Sequence, residues 1–230
     1  MKHGTCLGSL CLLLLLAQCR EKEVNPVTVP VGFLPEATIA PSARTLPRGD
    51  TLWLDLNFSD SLLDRHNGRR YRVRPQDVAL QSYISIQRLT GVGNLPVGIA
   101  PSFRFVERVG RAAAQGTTTA SLQPVYDGSR YRARIGLVPT QAGVTAIVVR
   151  LVPTDSRGEG RFLPFIQLPP DAEGREQKAV LGLSFYDING GKANNFDLFA
   201  QHTRAFATDP GAGPETILYE QHSTFTVEVK

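Results

Sequence analysis

Residues 51–58 read Thr-Leu-Trp-Leu-Asp-Leu-Asn-Phe, with Leu52, Leu54, Leu56 and Phe58 at every second position and Thr51, Trp53, Asp55 and Asn57 between them. Side chains alternate across a strand with a period of two, so this spacing puts four apolar residues on one face and the polar set, with Trp53, on the other. A helix would scatter the same residues around its circumference. The chain must therefore build a sheet with one face on a core, and the remaining sequence has to supply the partners.

Turn residues mark where those partners lie. Asn67-Gly68 separates Leu62 and Leu63 from Arg70-Tyr71-Arg72-Val73-Arg74, and Asp127-Gly128 separates residues 122–126 from 131–137. Both dipeptides are two-residue hairpin signals, because the central positions of such turns need positive φ. Further strands are expected over 78–89, over 103–109, where Phe103, Phe105 and Val109 alternate with Arg104 and Arg108, and over 178–186. The continuous apolar run at 144–152 predicts a strand buried on both faces. In the last strand, 224–229, Phe225, Val227 and Val229 share one side. One helix is predicted: Asn194 or Asn195 caps a segment carrying Phe196, Phe199, Ala200 and Thr203 at helical spacing, which ends before Asp209-Pro210-Gly211. Residues 153–177 read as a long loop around one apolar island, 162–168, that suits an edge strand.

The turn Pro139-Thr140-Gln141-Ala142-Gly143, leading into the 144–152 strand, is similar to the hairpins of immunoglobulin-like sandwiches. Strands separated by turn signals, with one helix, place the chain in the mainly β class. The expected architecture is an antiparallel β-sandwich, immunoglobulin-like or related, with one short helix near the C-terminus.

The N-terminus carries a different kind of information. Lys2 precedes a mostly apolar run from Cys6 to Ala17, which ends in Leu16-Ala17-Gln18-Cys19 and gives way to Arg20-Glu21-Lys22-Glu23. A basic start, a short apolar core and a polar exit have the layout of an export signal. The run falls well short of the about 20 apolar residues needed to span a bilayer. Its ending resembles the lipobox of bacterial lipoproteins, with Gln18 at a position where that family carries a small residue. The resemblance implies cleavage before Cys19 and acylation of Cys19. The membrane is then a partner through an N-terminal lipid, and the protein belongs to the bacterial cell envelope, at the outer membrane, facing the periplasm or the surface. Ordinary secretory cleavage after Cys19, releasing a chain that starts at Arg20, is the alternative.

Domain organisation follows from this reading. Residues 1–18 are the signal, 19–48 a lipid-anchored stalk and 49–230 the β-sandwich domain. Prolines 26, 30, 35, 41 and 47 block helix in the stalk and favour extended chain, with a short edge strand expected at 27–31. The three cysteines are Cys6, Cys11 and Cys19, all within the signal or at its end. An exported chain with no other thiol has no disulfide framework and depends on burial for stability.

The formal net charge is +4 with 20% charged residues, too little to argue for a nucleic-acid partner. Local charge is more telling. Asn67-Gly68-Arg69-Arg70-Tyr71-Arg72-Val73-Arg74 is echoed sixty residues later by Asp127-Gly128-Ser129-Arg130-Tyr131-Arg132-Ala133-Arg134. Each triplet, Arg70, Arg72, Arg74 and Arg130, Arg132, Arg134, is expected to line one strand face. If the two hairpins share a surface, six guanidiniums converge on an anionic ligand such as an acidic polysaccharide. The simpler reading has them solvated or paired with carboxylates such as Asp55 and Glu107.

No catalytic constellation is legible. His66, His202 and His222 fall in separate elements without metal-ligand spacing, and no Gly-x-Ser-x-Gly elbow occurs. Gly91-Val92-Gly93 lacks a third glycine and a following helix, so it is no phosphate loop. Asp187-Ile188-Asn189-Gly190-Gly191 starts like a calcium loop, but Gly191, Lys192 and Leu198 stand where that loop needs its third ligand, its glycine and its glutamate. A tight turn and a helix cap account for the same residues. No catalytic residue, metal ligand or cofactor site is therefore assigned.

Three functions remain distinct. One is a non-catalytic envelope lipoprotein contacting another envelope protein or a surface polymer, and it is preferred. Another is a glycan-binding module using exposed aromatics, among Trp53, Tyr71, Tyr83, Tyr126 and Tyr131, or the arginine face. The last is a secreted hydrolase with a site built from loops 91–101 and 153–174.

Overall fold

The structure, a computed structural model, describes residues 26–230 apart from 78–79, 90–96, 99–101, 116–118, 154–161, 183 and 204–210. The alternating segment forms the strand Leu52–Ser59, with Leu52, Leu54, Leu56 and Phe58 buried and Asn57 exposed. It lies in a six-stranded sheet in the order Val125–Tyr126, Arg130–Pro139, Leu52–Ser59, Glu36–Ala40, Asp187–Ile188, with Phe103–Val109 also paired to Arg130–Pro139. An eight-stranded sheet runs Arg111–Gln115, Thr119–Gln123, Leu80–Leu89, Gly143–Pro153, Thr224–Val229, Thr45–Leu46, with Val97–Gly98 and Ser184–Phe185 paired to its inner strands.

The two sheets enclose one core. Ile39, Leu54 and Ile135 come from the six-stranded sheet, and Ile84, Ile147, Val149, Phe225 and Val227 from the eight-stranded one. Most of these are below 2% exposed, so each contributes about 1.5–3 kcal/mol of burial. The molecule is thus mainly β and sandwich-like, as expected. The 144–152 run is the central strand of the larger sheet, with Thr145 to Val149 buried in succession. Its inner face meets the core, and Ala146 on the outer face packs under Phe199 and Leu89.

The chain passes between sheets at two adjoining corners. Phe103–Val109 belongs to the smaller sheet and Arg111–Gln115 to the larger, and Gly110 between them has φ +73. A Cβ there would lie 2.7 Å from the Gln123 carbonyl oxygen, so glycine is required both for its dihedral and for space. The return is made at Pro124, which cannot donate to a ladder and divides the expected 122–126 strand into Thr119–Gln123 and Val125–Tyr126.

Both expected hairpins form. Leu62 pairs with Tyr71, and Tyr126 pairs with Tyr131. The first turn is longer than two residues: Asp64 N donates to Arg69 O and Gly68 N to Asp64 O, and Gly68 alone takes positive φ. It makes a separate two-stranded ribbon, Ser61–Leu63 with Arg70–Arg72.

The segment expected as a stalk is part of the fold. Val27–Val31 pairs in parallel with Gln177–Leu181 in a three-stranded sheet completed by Phe162–Gln167, the expected edge strand. Glu36–Ala40 and Thr45–Leu46 join the two larger sheets, and Val31, Phe33, Ala37, Ile39 and Leu46 lie in the core. Proline excludes helix but is tolerated at sheet edges, so the prolines here punctuate short strands rather than extend a tether. The folded domain therefore starts by Val27, not at residue 49.

The expected helix is Phe196–His202; its N-cap Asn195, in the left-handed region, makes no side-chain cap bond, and Asn194 Oδ1 accepts from Phe196 N at 3.3 Å instead. A second helix, Pro214–Ser223, was not expected, although Pro214 at its first position and Glu215 in its first turn are start signals. Its Tyr219 packs edge-on against Phe185, and Arg150 lies 5.5 Å over the Tyr219 ring. Both helices cover the outer face of the larger sheet. No helix among the described residues is long and apolar enough to cross a membrane.

Candidate functional site

The two echoed hairpins do not share a sheet, yet they meet. Asp60, just before the first ribbon and 5% exposed, donates its N–H to Ser129 O at 2.8 Å and accepts from Val73 N at 2.7 Å. Its carboxylate accepts from Arg72 Nε and from the Tyr126 hydroxyl, both at 2.8 Å. Tyr131 OH adds a bond to Val73 O at 2.8 Å. Burial pushes the Asp60 carboxyl up, but the Arg72 and Tyr126 hydrogen bonds and the charges of Arg72 and Arg74 together hold it below its ordinary value. Burial raises the Tyr131 hydroxyl well above its usual range. Asp60 is thus the joint that docks one hairpin on the other.

The six arginines separate by partner. Arg72 pairs with Asp60 at 2.8 Å, Arg74 with Asp77 at 2.8 Å, Arg132 with Asp127 at 2.9 Å and Arg134 with Asp55 at 3.6 Å. Arg74 lies beyond the strand Arg70–Arg72, leading into a turn, so it does not continue the face of Arg70 and Arg72. Arg130, Arg132 and Arg134 do share one face, since Tyr131 and Ala133 between them are buried. Arg70 and Arg130 line a common open groove of about 290 Å³ where the ribbon meets the six-stranded sheet.

Among the described residues, no helix packs on that sheet's outer face. Glu36, Thr38, Ala40, Asn57, Arg104, Arg108, Arg132 and Arg134 are all exposed along it. At its centre half-buried Trp53 lies under two guanidiniums, with Arg134 Cζ 5.1 Å and Arg108 Cζ 5.9 Å from the ring. The aromatic candidates do not make one platform. Tyr131 is in the core and stacks on Phe58, Tyr126 leans on Tyr131, Tyr71 is half-buried in the ribbon, and Tyr83 pairs with Arg150 in the other sheet.

One pairing had no signal in the sequence. Asp187 Oδ1 lies 2.8 Å from His222 Nδ1, tying the strand Asp187–Ile188 to the second helix across 35 residues. The calcium-like residues serve as clips: Asn189 Oδ1 accepts from Ile39 N at 2.9 Å, and Asn195 Nδ2 donates to Thr226 O at 2.9 Å. No group of three or more His, Cys, Asp or Glu suited to a metal occurs among the described residues. Cys19 lies outside the described residues, as do most of loop 91–101 and residues 154–161 of loop 153–174.

No family model matches the chain, and no curated protein matches it. A non-cellulosomal cohesin from the hyperthermophilic archaeon Archaeoglobus fulgidus is similar in structure at 8% identity and a TM-score of 0.21, over 70% of this chain and 91% of that one. At that score the sandwich assignment rests on the strand pairing itself.

Proposed function

We propose that this chain is a non-catalytic lipoprotein of the bacterial cell envelope, tethered through a lipid on Cys19, whose sandwich contacts a surface polymer or another envelope protein. The observation that carries the reading is the asymmetry of the sandwich. Two helices cover the outer face of the larger sheet, while the six-stranded sheet presents an open face with arginines around Trp53. Arginine and tryptophan are the side chains enriched at contact centres.

The tether in this reading is short. Eight Cα-to-Cα steps lead from Cys19 to Val27, the first paired residue among those described. Fully extended they reach at most about 25–30 Å. The sandwich is thereby held against the headgroup layer rather than lifted on a stalk, which favours partners lying at the membrane surface.

Intact mass of the N-terminal peptide from membrane and soluble fractions tests the anchor. A diacyl or triacyl adduct on Cys19 is expected, and Cys19→Ser is expected to move a folded protein into the soluble fraction. An unmodified start at Arg20 would make it a secreted protein and sink the tether.

A further inference from the structure

Within that proposed reading, Arg70 and Arg130 are set apart twice. The other four arginines of the two triplets each have a carboxylate partner, whereas neither of these two has an ion pair among the described residues. They are also the two that line the same groove. Neutral groups fix both in place: Arg70 Nη1 donates to Ser61 O at 2.9 Å, and Arg130 donates through Nε to Asn57 Oδ1 and through Nη2 to Asn57 O, each at 2.8 Å. A guanidinium carries five N–H donors, so each fork keeps donors beyond those its anchors use. Two guanidiniums with spare donors on one groove are suited to a carboxylate, which matches the guanidinium fork.

The rest of the lining narrows the ligand. Glu36, Ser59 and Ser61 add acceptors and hydroxyls, and Leu63, 45% exposed, adds an apolar wall. A groove built for anions alone gains nothing from Glu36. A ligand that carries both a carboxylate and hydroxyl groups uses every part: its carboxylate meets the arginines, its hydroxyls donate to Glu36 and bond the serines, and its ring face lies on Leu63. The volume is near the lower end of ligand pockets, about 300–1,000 Å³, the scale of a short glycan segment. The geometry points to a uronic-acid unit of an acidic polysaccharide, bound between Arg70 and Arg130. This assigns the partner class of the proposed function. An acidic peptide has the carboxylates but lacks the hydroxyls.

The test is calorimetric titration of the full-length protein in detergent with an oligogalacturonate. Two comparison probes are the same oligomer with its carboxyls reduced to alcohols and a polyglutamate peptide of equal charge. The oligogalacturonate is expected to bind, more weakly as salt rises, with both comparison probes weaker. The double variant Arg70→Gln, Arg130→Gln is expected to lose roughly tenfold or more in affinity, and Arg44→Gln, Arg175→Gln, which removes two arginines that pair with carboxylates outside the groove, much less. Leu63→Ser removes the apolar wall opposite Arg70 in the ribbon without adding a charge, so it too is expected to weaken binding. Absence of binding, equal binding of polyglutamate, unchanged binding in the Arg70, Arg130 or Leu63 variants, or an equal loss in the Arg44, Arg175 variant would overturn the assignment. Each of those results leaves an acylated Cys19 standing, while an unmodified Cys19 leaves the groove result standing.

Discussion

Trp53 lies across the backbone of Gly136, its directly paired residue on the neighbouring strand, so closely that a Cβ at 136 would sit 3.2 Å from the indole Cζ3. The same Cβ would stand 2.8 Å from Thr51 Cγ2 and 3.1 Å from Val106 Cβ. Gly136 does not take positive φ, so space and not dihedral requires the glycine. The ring covers a residue that would otherwise weaken the strand, and the two arginines then lie over the ring. Gly136→Ala is expected to cost about 1–3 kcal/mol through overpacking, seen as a lower urea midpoint at unchanged m-value. A variant as stable as the parent would mean that the indole swings clear and that the stack is loose.

Asp60 links stability to pH. Burial pushes its carboxyl up, but the Arg72 and Tyr126 hydrogen bonds and the nearby arginine charges outweigh it and hold the folded pKa below the ordinary value. A depressed carboxyl stabilises the fold above its unfolded pKa and loses that contribution as pH falls through its folded pKa. Asp77 and Asp127 are depressed as well, by Arg74 and by the backbone amides of Ser129 and Arg130. Urea midpoints are therefore expected to be flat near neutrality and to fall in acid, below about pH 4. Asp60→Asn is expected to lower the neutral plateau and to make the acid decline shallower. An acid limb of parental steepness in that variant would remove Asp60 from the linkage.

Much of the sandwich was legible because half-exposed strands advertise their period. Leu52 to Phe58 and Phe225 to Val229 read directly, and residues 144–152 announced burial on both sides. The corner at Gly110 and Pro124 was harder, since each half of the bent chain keeps a strand's pattern while changing sheets. The second helix is weakly patterned: its buried residues, Glu220 and Ser223, are polar, and Tyr219 beside them packs on Phe185. The arginine face was half legible. Alternation correctly grouped Arg130, Arg132 and Arg134, but no local rule shows that Asp60 docks one hairpin on the other. That long-range joint brings Arg70 and Arg130 to one groove.

Residues 26–48 offer a direct check on the revised domain boundary. Phe33 is fully buried, its N–H donates to Ser184 Oγ at 3.0 Å, and its carbonyl accepts from Phe185 N at 3.2 Å. Asp64 clamps the neighbouring backbone by accepting from Gly32 N at 3.0 Å. Phe33→Ala is expected to destabilise the domain by about 3–5 kcal/mol, the usual range for a buried phenylalanine. A loss under about 1 kcal/mol, within the range of surface changes, would return this segment to the role of a tether.

Among the described residues, the terminal strand at one edge of the larger sheet carries its own guard. Arg111–Gln115 is the terminal strand of that sheet and is mostly exposed, with three successive alanines that present no bulk to an approaching chain. Such an edge is a template for pairing with another copy. Glu107, on the strand before the Gly110 corner, reaches across it, and Ala112 N donates to Glu107 Oε1 at 2.7 Å. The carboxylate both occupies a backbone donor and sets a charge beside the edge. Glu107→Ala is expected to increase self-association with concentration, read by sedimentation velocity against the parent. Adding Ala112→Pro, which removes the freed N–H altogether, is expected to reverse the change. Sedimentation identical to the parent in the single variant would show that the edge is protected by something other than Glu107.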